Sequence, residues 1–193
     1  MGEIEGQIRD EELDAEREAR RQFALAQVRQ YPDPVLRMKA NEVTEFDDAL
    51  RALAERMGNL MVEARGVGLA APQIGVLQRV LVYQADEDEP VRALVNPRLV
   101  ESSETLVTGD EGCLSLGAAT VVVPLERADA VVVEAASADG EAQRIEAEGL
   151  TARVLQHELD HLDGVLILDR ARPEDRKGAL AQLRPQPLLG PLR

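Results

Sequence analysis

Two histidines and one cysteine are the chain's whole supply of those residue types, and the histidines stand four apart in His157-Glu158-Leu159-Asp160-His161. That spacing puts both imidazoles on one face of a helix. Two imidazoles and a thiolate make three ligands of an open tetrahedral metal site, with the fourth position left for water. Cys113 is the one thiol that could complete the set; the alternative third ligand is an Asp or Glu, of which the chain has 36. Three protein ligands and one open position point to catalysis, because a cation there lowers the pKa of its water. Glu158, between the histidines, is placed to take that proton and pass it to a leaving group. The bland reading is an exposed histidine pair and a small buried thiol. Against it, Leu150 and Val154 lead into the pentad at helical spacing, so the pentad sits on an amphipathic helix.

Charge developing on a carbonyl oxygen needs donors aimed at it. The side-chain amide of Gln73 donates without bringing a charge that competes with a metal, and the backbone N–H of Leu114 adjoins Cys113. Gly66, Gly68 and Gly75 punctuate the bend that carries Gln73, and Gly112 precedes the cysteine. Each allows close backbone approach. They do not form a phosphate loop, since no Gly-Lys-Ser or Gly-Lys-Thr follows.

The elements that must position these groups follow from periodicity. Leu50, Leu53, Met57, Leu60 and Met61 predict a helix over residues 46–65. Strands are expected at 80–82, 93–95 (ended by Asn96-Pro97), 120–123, 130–135 and 144–148, with a turn at Ala138-Asp139-Gly140. A helix over 150–162 carries the histidines. Residues 165–168 read as short and extended, and 173–183 as a last helix. This is a mixture of helix and mostly antiparallel sheet, an α+β pattern without regular strand–crossover-helix alternation. Residues 1–26 form an acidic N-terminal extension, helical or partly disordered; 27–184 form the catalytic domain; 185–193 form a proline-rich C-terminal tail.

At 193 residues the chain suits one domain with a sizeable core. Aromatics are only 2%, so Leu, Val, Ile and Ala must build that core. A net charge of -14 argues against a protein that coats nucleic acid over a broad surface, and no DNA partner is expected. The start is acidic and lacks an apolar leader, no stretch reaches membrane-span length, and a lone cysteine fits a reducing compartment. The expectation is a cytoplasmic monomer with no membrane partner.

Three motifs in order resemble the peptide deformylase family: Gly66-Val67-Gly68-Leu69-Ala70-Ala71-Pro72-Gln73, Glu111-Gly112-Cys113-Leu114-Ser115, and Gln156-His157-Glu158-Leu159-Asp160-His161 followed by Leu162-Asp163-Gly164. The resemblance covers roughly residues 24–170 and includes Asp33-Pro34-Val35-Leu36-Arg37. It implies a peptide-deformylase-like fold, with mostly antiparallel sheets packed around a central HExxH helix. It implies removal of the N-formyl group from N-terminal formylmethionine of newly made polypeptides, with release of formate. Cys113, His157 and His161 would hold ferrous iron, with Zn2+, Ni2+ or Co2+ as substitutes in isolated protein, although the residue chemistry alone favours zinc. Glu158 would be general acid and base, and Gln73 and the Leu114 N–H would polarise the formyl oxygen. Backbone near Val67 and Gly68 would bind the peptide as an added strand. Leu150 and Val154, with the stem of Arg153, would wall the methionine pocket.

Two departures stand out. Leu116-Gly117-Ala118-Ala119-Thr120 follows the second motif without the family's usual proline, and Pro124-Leu125-Glu126-Arg127 blurs the approach to the arginine expected to contact substrate. Competing functions are an HExxH endopeptidase with a different third ligand and a non-catalytic metal-binding or ribosome-binding domain. Arg170, Arg172, Arg176 and Lys177 are the candidate surface for a transient ribosome contact.

Overall fold

A computed structural model describes residues 2–183, with side chains from Asp14 onward. Strand β2 (Val80–Tyr83) organises the molecule. Its residues alternate between two cores: Val80 and Val82 join one apolar cluster, Leu81 and Tyr83 the other. This is the period-2 geometry of a strand buried on both faces. β2 lies between β1 (Gly68–Ala70) and β3 (Arg92–Ser102) in a five-stranded antiparallel sheet. β6 (Ala130–Ala136) and β7 (Ala142–Glu148) complete the order β1-β2-β3-β6-β7.

Helix α2 (Asp48–Glu63) covers the Val80/Val82 face. It starts where the Asp47 carboxylate accepts the Leu50 N–H at 3.0 Å, satisfying one of the unpaired donors of a helix start. Its buried stripe is Leu50, Ala54, Met57, Leu60 and Met61. Helix α3 (Gly149–Leu162) covers the opposite face through Ala152, Leu155, Leu159 and Leu162. Gly149, at φ +54°, turns the chain directly from β7 into it. A separate hairpin, β4 (Leu106–Gly112) with β5 (Val122–Ala128), closes one end. Its Val123 and Leu125 pack with Leu36, Leu116, Leu166 and Leu168 in a third cluster, beneath the one-turn α4 (Ile167–Arg170) and α5 (Pro173–Gln182).

Before the sheet, α1 (Gly2–Leu25) runs through most of the acidic extension and docks by its C-terminal end, where Ala24 is fully buried. Residues 185–193 lie outside the described residues.

Several expectations need correction. β3 does not stop at Asn96-Pro97 but continues to Ser102, with a register shift between Val95 and Arg98. Proline is tolerated there because a bulge asks no ladder N–H of it. Asn96, at φ +51°, instead bonds both the N–H and the carbonyl of Val43. β5 likewise runs through Pro124, which faces Asp110. Residues 167–170 form a helical turn rather than extended chain. The picture of sheets packed around a central HExxH helix is also corrected. The metal site is a triad of Cys113, His157 and His161 from two distant segments, not a motif confined to one helix. The physical reason is coordination number: two imidazoles fill only half of a tetrahedral shell, so a further donor has to come from elsewhere in the fold.

Candidate metal centre and substrate cleft

Helix α3 buries its apolar face on the sheet and turns His157, Glu158 and His161 toward the end of β4. Cys113 follows β4 directly and meets them there. The ligand atoms of Cys113, His157 and His161 all lie within 4.8 Å of one another, and Cys113 Sγ stands 3.2 Å from His161 Nε2. His157 Nδ1 is taken by Glu111 Oε2 at 3.0 Å, which leaves Nε2 for the centre. A ligating imidazole held by a carboxylate on its other nitrogen is the arrangement that fixes tautomer and ring orientation. Among the described residues, His161 Nδ1 and Glu158 Oε2 are buried without a hydrogen-bond partner. A cation at His161 Nε2 would leave the proton on Nδ1 and so define that ring's tautomer. A buried thiol and two imidazoles, one carboxylate-oriented, fit a soft or borderline divalent cation.

The cleft beside this cluster encloses about 250 Å³. Val67, Gly68, Gln73, Gly112, Cys113, Leu114, Leu150, Arg153, Val154, His157 and Glu158, all singled out from sequence, line it. His161 sits behind them, and Leu150 stands at the rim, 55% exposed. Gly68 is packed against the general-base candidate: a Cβ there would stand 2.9 Å from Glu158 Cδ and Cγ. β1, which contains Gly68, is the terminal strand of its sheet. Burial, the largest influence on Glu158, pushes its carboxyl up to about 7, the range in which one group can both take and give a proton near neutrality.

Both candidate polarising donors are held by the backbone. Gln73 Oε1 accepts the Ala70 N–H at 2.8 Å, which turns Nε2 toward Cys113 Sγ, 3.7 Å away, and Ser115 Oγ, 3.3 Å away. The Cys113 carbonyl accepts the N–H groups of Leu116 and Ala119, each at 2.9 Å. The peptide is planar and trans, so fixing that carbonyl also fixes the Leu114 N–H on the opposite side. The unusual residues after the second motif make this possible. Gly117, Ala118 and Ala119 are consecutive left-handed residues, at φ +61°, +55° and +64°. This curls the chain back so that Ala119 reaches the cleft. Two alanines in that region cost roughly 1 kcal/mol each.

The family model for polypeptide deformylase matches residues 25–177. The chain belongs to the peptide deformylase family. It is 49% identical over 162 residues to the peptide deformylase of Acidothermus cellulolyticus, covering 84% of this chain and 87% of that one. The crystal structure of the Thermotoga maritima peptide deformylase is 42% identical and superposes with a TM-score of 0.72, covering 76% of this chain and 97% of that one. The Synechococcus elongatus peptide deformylase in complex with actinonin is 38% identical, with a TM-score of 0.76 over 80% and 85% of the two chains. The chain is thus an enzyme, a hydrolase that removes the formyl group from N-terminal formylmethionine of nascent peptides.

One substrate candidate is not brought to the cleft of this deformylase. The Arg127 guanidinium is 4% exposed and lies beneath the site. It donates to both Glu111 oxygens at 2.9 Å and to Asp160 Oδ2 at 2.6 Å. Arg153 is also more than a pocket stem, because its guanidinium bonds Glu111 Oε1 at 2.8 Å and the carbonyls of Val107 and Leu125. Glu111 is therefore the hub that sequence reasoning passed over. Burial alone would raise its carboxyl, but hydrogen bonds from His157 and Arg127 outweigh it and hold the group far below the ordinary carboxylate range. Its place in the second motif was visible, but its partners were not.

Glu111→Ala leaves Arg127 without its bidentate acceptor and His157 Nδ1 without a partner. The expected results are a stability loss of about 3–5 kcal/mol by urea unfolding and metal affinity lower by about 10–100-fold in chelator competition.

Proposed function

We propose that deformylation runs at the triad and that the residues around it divide the work as follows. Cys113, His157 and His161 hold the cation. Ferrous iron is the resident metal, with Zn2+, Ni2+ or Co2+ as substitutes. When bound, the cation supplies an acidified water and a Lewis acid for the formyl oxygen. Glu158 takes the proton of the attacking water and delivers it to the departing amine nitrogen, so that formate and a free N-terminus leave. Gln73 Nε2 and the Leu114 N–H donate to the formyl oxygen as charge gathers on it. The peptide lies along the outer edge of β1 near Val67 and Gly68 as an added strand. Gly112, Val154, Leu150 and the stem of Arg153 surround the methionine side chain.

The convergence of one thiol and two imidazoles within 4.8 Å, beside a buried Glu158 at the head of the cleft, carries this reading. The proposal extends to a monomeric, cytoplasmic enzyme in three units, with the acidic arm of residues 1–26 and the tail of 185–193 flanking the catalytic domain. No helix among the described residues is long and apolar enough to cross a membrane. Arg172, Arg176 and Lys177 are exposed and available to a transient ribosome contact, whereas Arg170 is engaged by Asp160 at 2.5 Å.

The test is release of formate from a formyl-Met peptide by protein loaded anaerobically with each metal. Ferrous protein is expected to be the most active, chelation to abolish activity, and an acetyl-Met peptide to remain intact. A well-folded ferrous protein that releases no formate overturns the proposal.

A further inference from the structure

Arg29, Gln30 and Tyr31, within the link between α1 and the following 3-10 turn (Pro34–Arg37), grip the backbone that carries both polarising groups. The Arg29 N–H donates to the Gln73 carbonyl at 2.7 Å, and the Tyr31 N–H donates to the Ser115 carbonyl at 2.9 Å. Between them the Gln30 side chain spans the left-handed curl. Its Nε2 donates to the Leu114 carbonyl at 2.9 Å and its Oε1 accepts the Gly117 N–H at 3.2 Å. A longer bond from Nε2 to the Val28 carbonyl, at 3.3 Å, folds the side chain back on its own segment. Val28 is in the core, so the clasp has a fixed anchor. Gln30 itself is exposed and does not line the cleft. Its side chain therefore acts on the curl and not on the cleft itself.

We propose that Gln30 is a positioning residue for the formyl-polarising pair, an inference that rests on the roles assigned above to Gln73 and Leu114. Donors to a developing charge act only if they are held in place before it forms. The curl contains two alanines in a left-handed conformation that they would not choose locally. The Gln30 side chain therefore adds an external brace to the bonds within the curl that hold the Leu114 N–H. Without it, substrate still binds, but the donors reach the transition state less well aligned.

The test uses full-length, metal-loaded Gln30→Ala and Gln30→Glu. The glutamate keeps an acceptor for the Gly117 N–H but sets a charge in place of the donor facing the Leu114 carbonyl. Both variants are expected to lose kcat by roughly five- to tenfold, with KM within about twofold of wild type. Metal affinity should be unchanged, and deuterium uptake should quicken in peptides covering residues 113–120 and not elsewhere. Unchanged kcat, or unchanged uptake over that segment, overturns the inference. A wild-type protein without deformylase activity would sink the functional reading instead, and the uptake measurement would still decide the clasp.

Discussion

Glu158→Ala or Glu158→Gln should lower kcat on a formyl-Met peptide by about 10²–10⁴-fold, the usual worth of a positioned general acid–base group, while the metal stays bound. The carboxyl is 4% exposed, and its Oε2 has no hydrogen-bond partner among the described residues. Nothing polar is orphaned when it goes. Burial is the largest influence on this carboxyl and outweighs the attraction of His157 and Arg127, so removing it relieves a desolvation cost and the melting temperature should hold or rise. The triad loses no donor, so metal content by elemental analysis should match wild type. The combination matters: lost turnover with retained metal and fold separates proton transfer from ligation. A Glu158→Ala protein that releases formate at wild-type rate would show that the proton travels by another route.

Legibility in the sequence tracked how local each signal is. α2 was readable because its apolar stripe lies within one short window, although the expected start at Phe46 missed the Asp47 cap that begins it at Asp48. β2 was readable as an apolar run, although its division between two cores was not, since Val80 and Leu81 look alike until partners exist on both sides. β4 went unseen. Leu106-Val107-Thr108-Gly109-Asp110-Glu111-Gly112 shows no clean alternation, and pairing with β5 makes it a strand. The extent of β3 was hidden by Asn96-Pro97, where turn chemistry marks a bulge inside a strand and not its end. Short apolar stretches such as Val165-Leu166-Ile167-Leu168 fit a helical turn and a strand equally well.

At the site, the chemistry-bearing residues could be named because their types are scarce. Two histidines and one cysteine leave few combinations. Charged residues are common, so no sequence argument could say that Arg127 would be spent on Glu111, 16 positions away, and Asp160, 33 away, and not on substrate. The same abundance hid Glu111 itself. What distinguishes it is burial among Arg127, Arg153 and His157, a property of the fold and not of its neighbours in the chain.

Cys113→Ala should abolish deformylation and weaken cation binding by more than about 100-fold, beyond the cost of losing an outer-shell partner. The other protein donors near the centre cannot easily replace the sulfur. Glu111 is occupied by two guanidiniums and His157, and Ser115 Oγ is bonded to Gln73. Glu158 has a buried oxygen without a hydrogen-bond partner beside the triad. If it moved in as a ligand it would no longer be available for proton transfer, so even a refilled shell should be inactive. The fold should survive, because Cys113 packs with Leu36, Leu116 and Leu166 and an alanine there removes only one buried atom, about 1 kcal/mol. The same variant separates the competing chemistry: an endopeptidase whose third ligand is a carboxylate would keep both its metal and its activity. Equilibrium competition against a chelator, run beside formate release, reads both outcomes. A Cys113→Ala protein that binds the cation as tightly as wild type would remove the sulfur from the coordination shell, and the hydrolytic centre would have to be rebuilt around other donors.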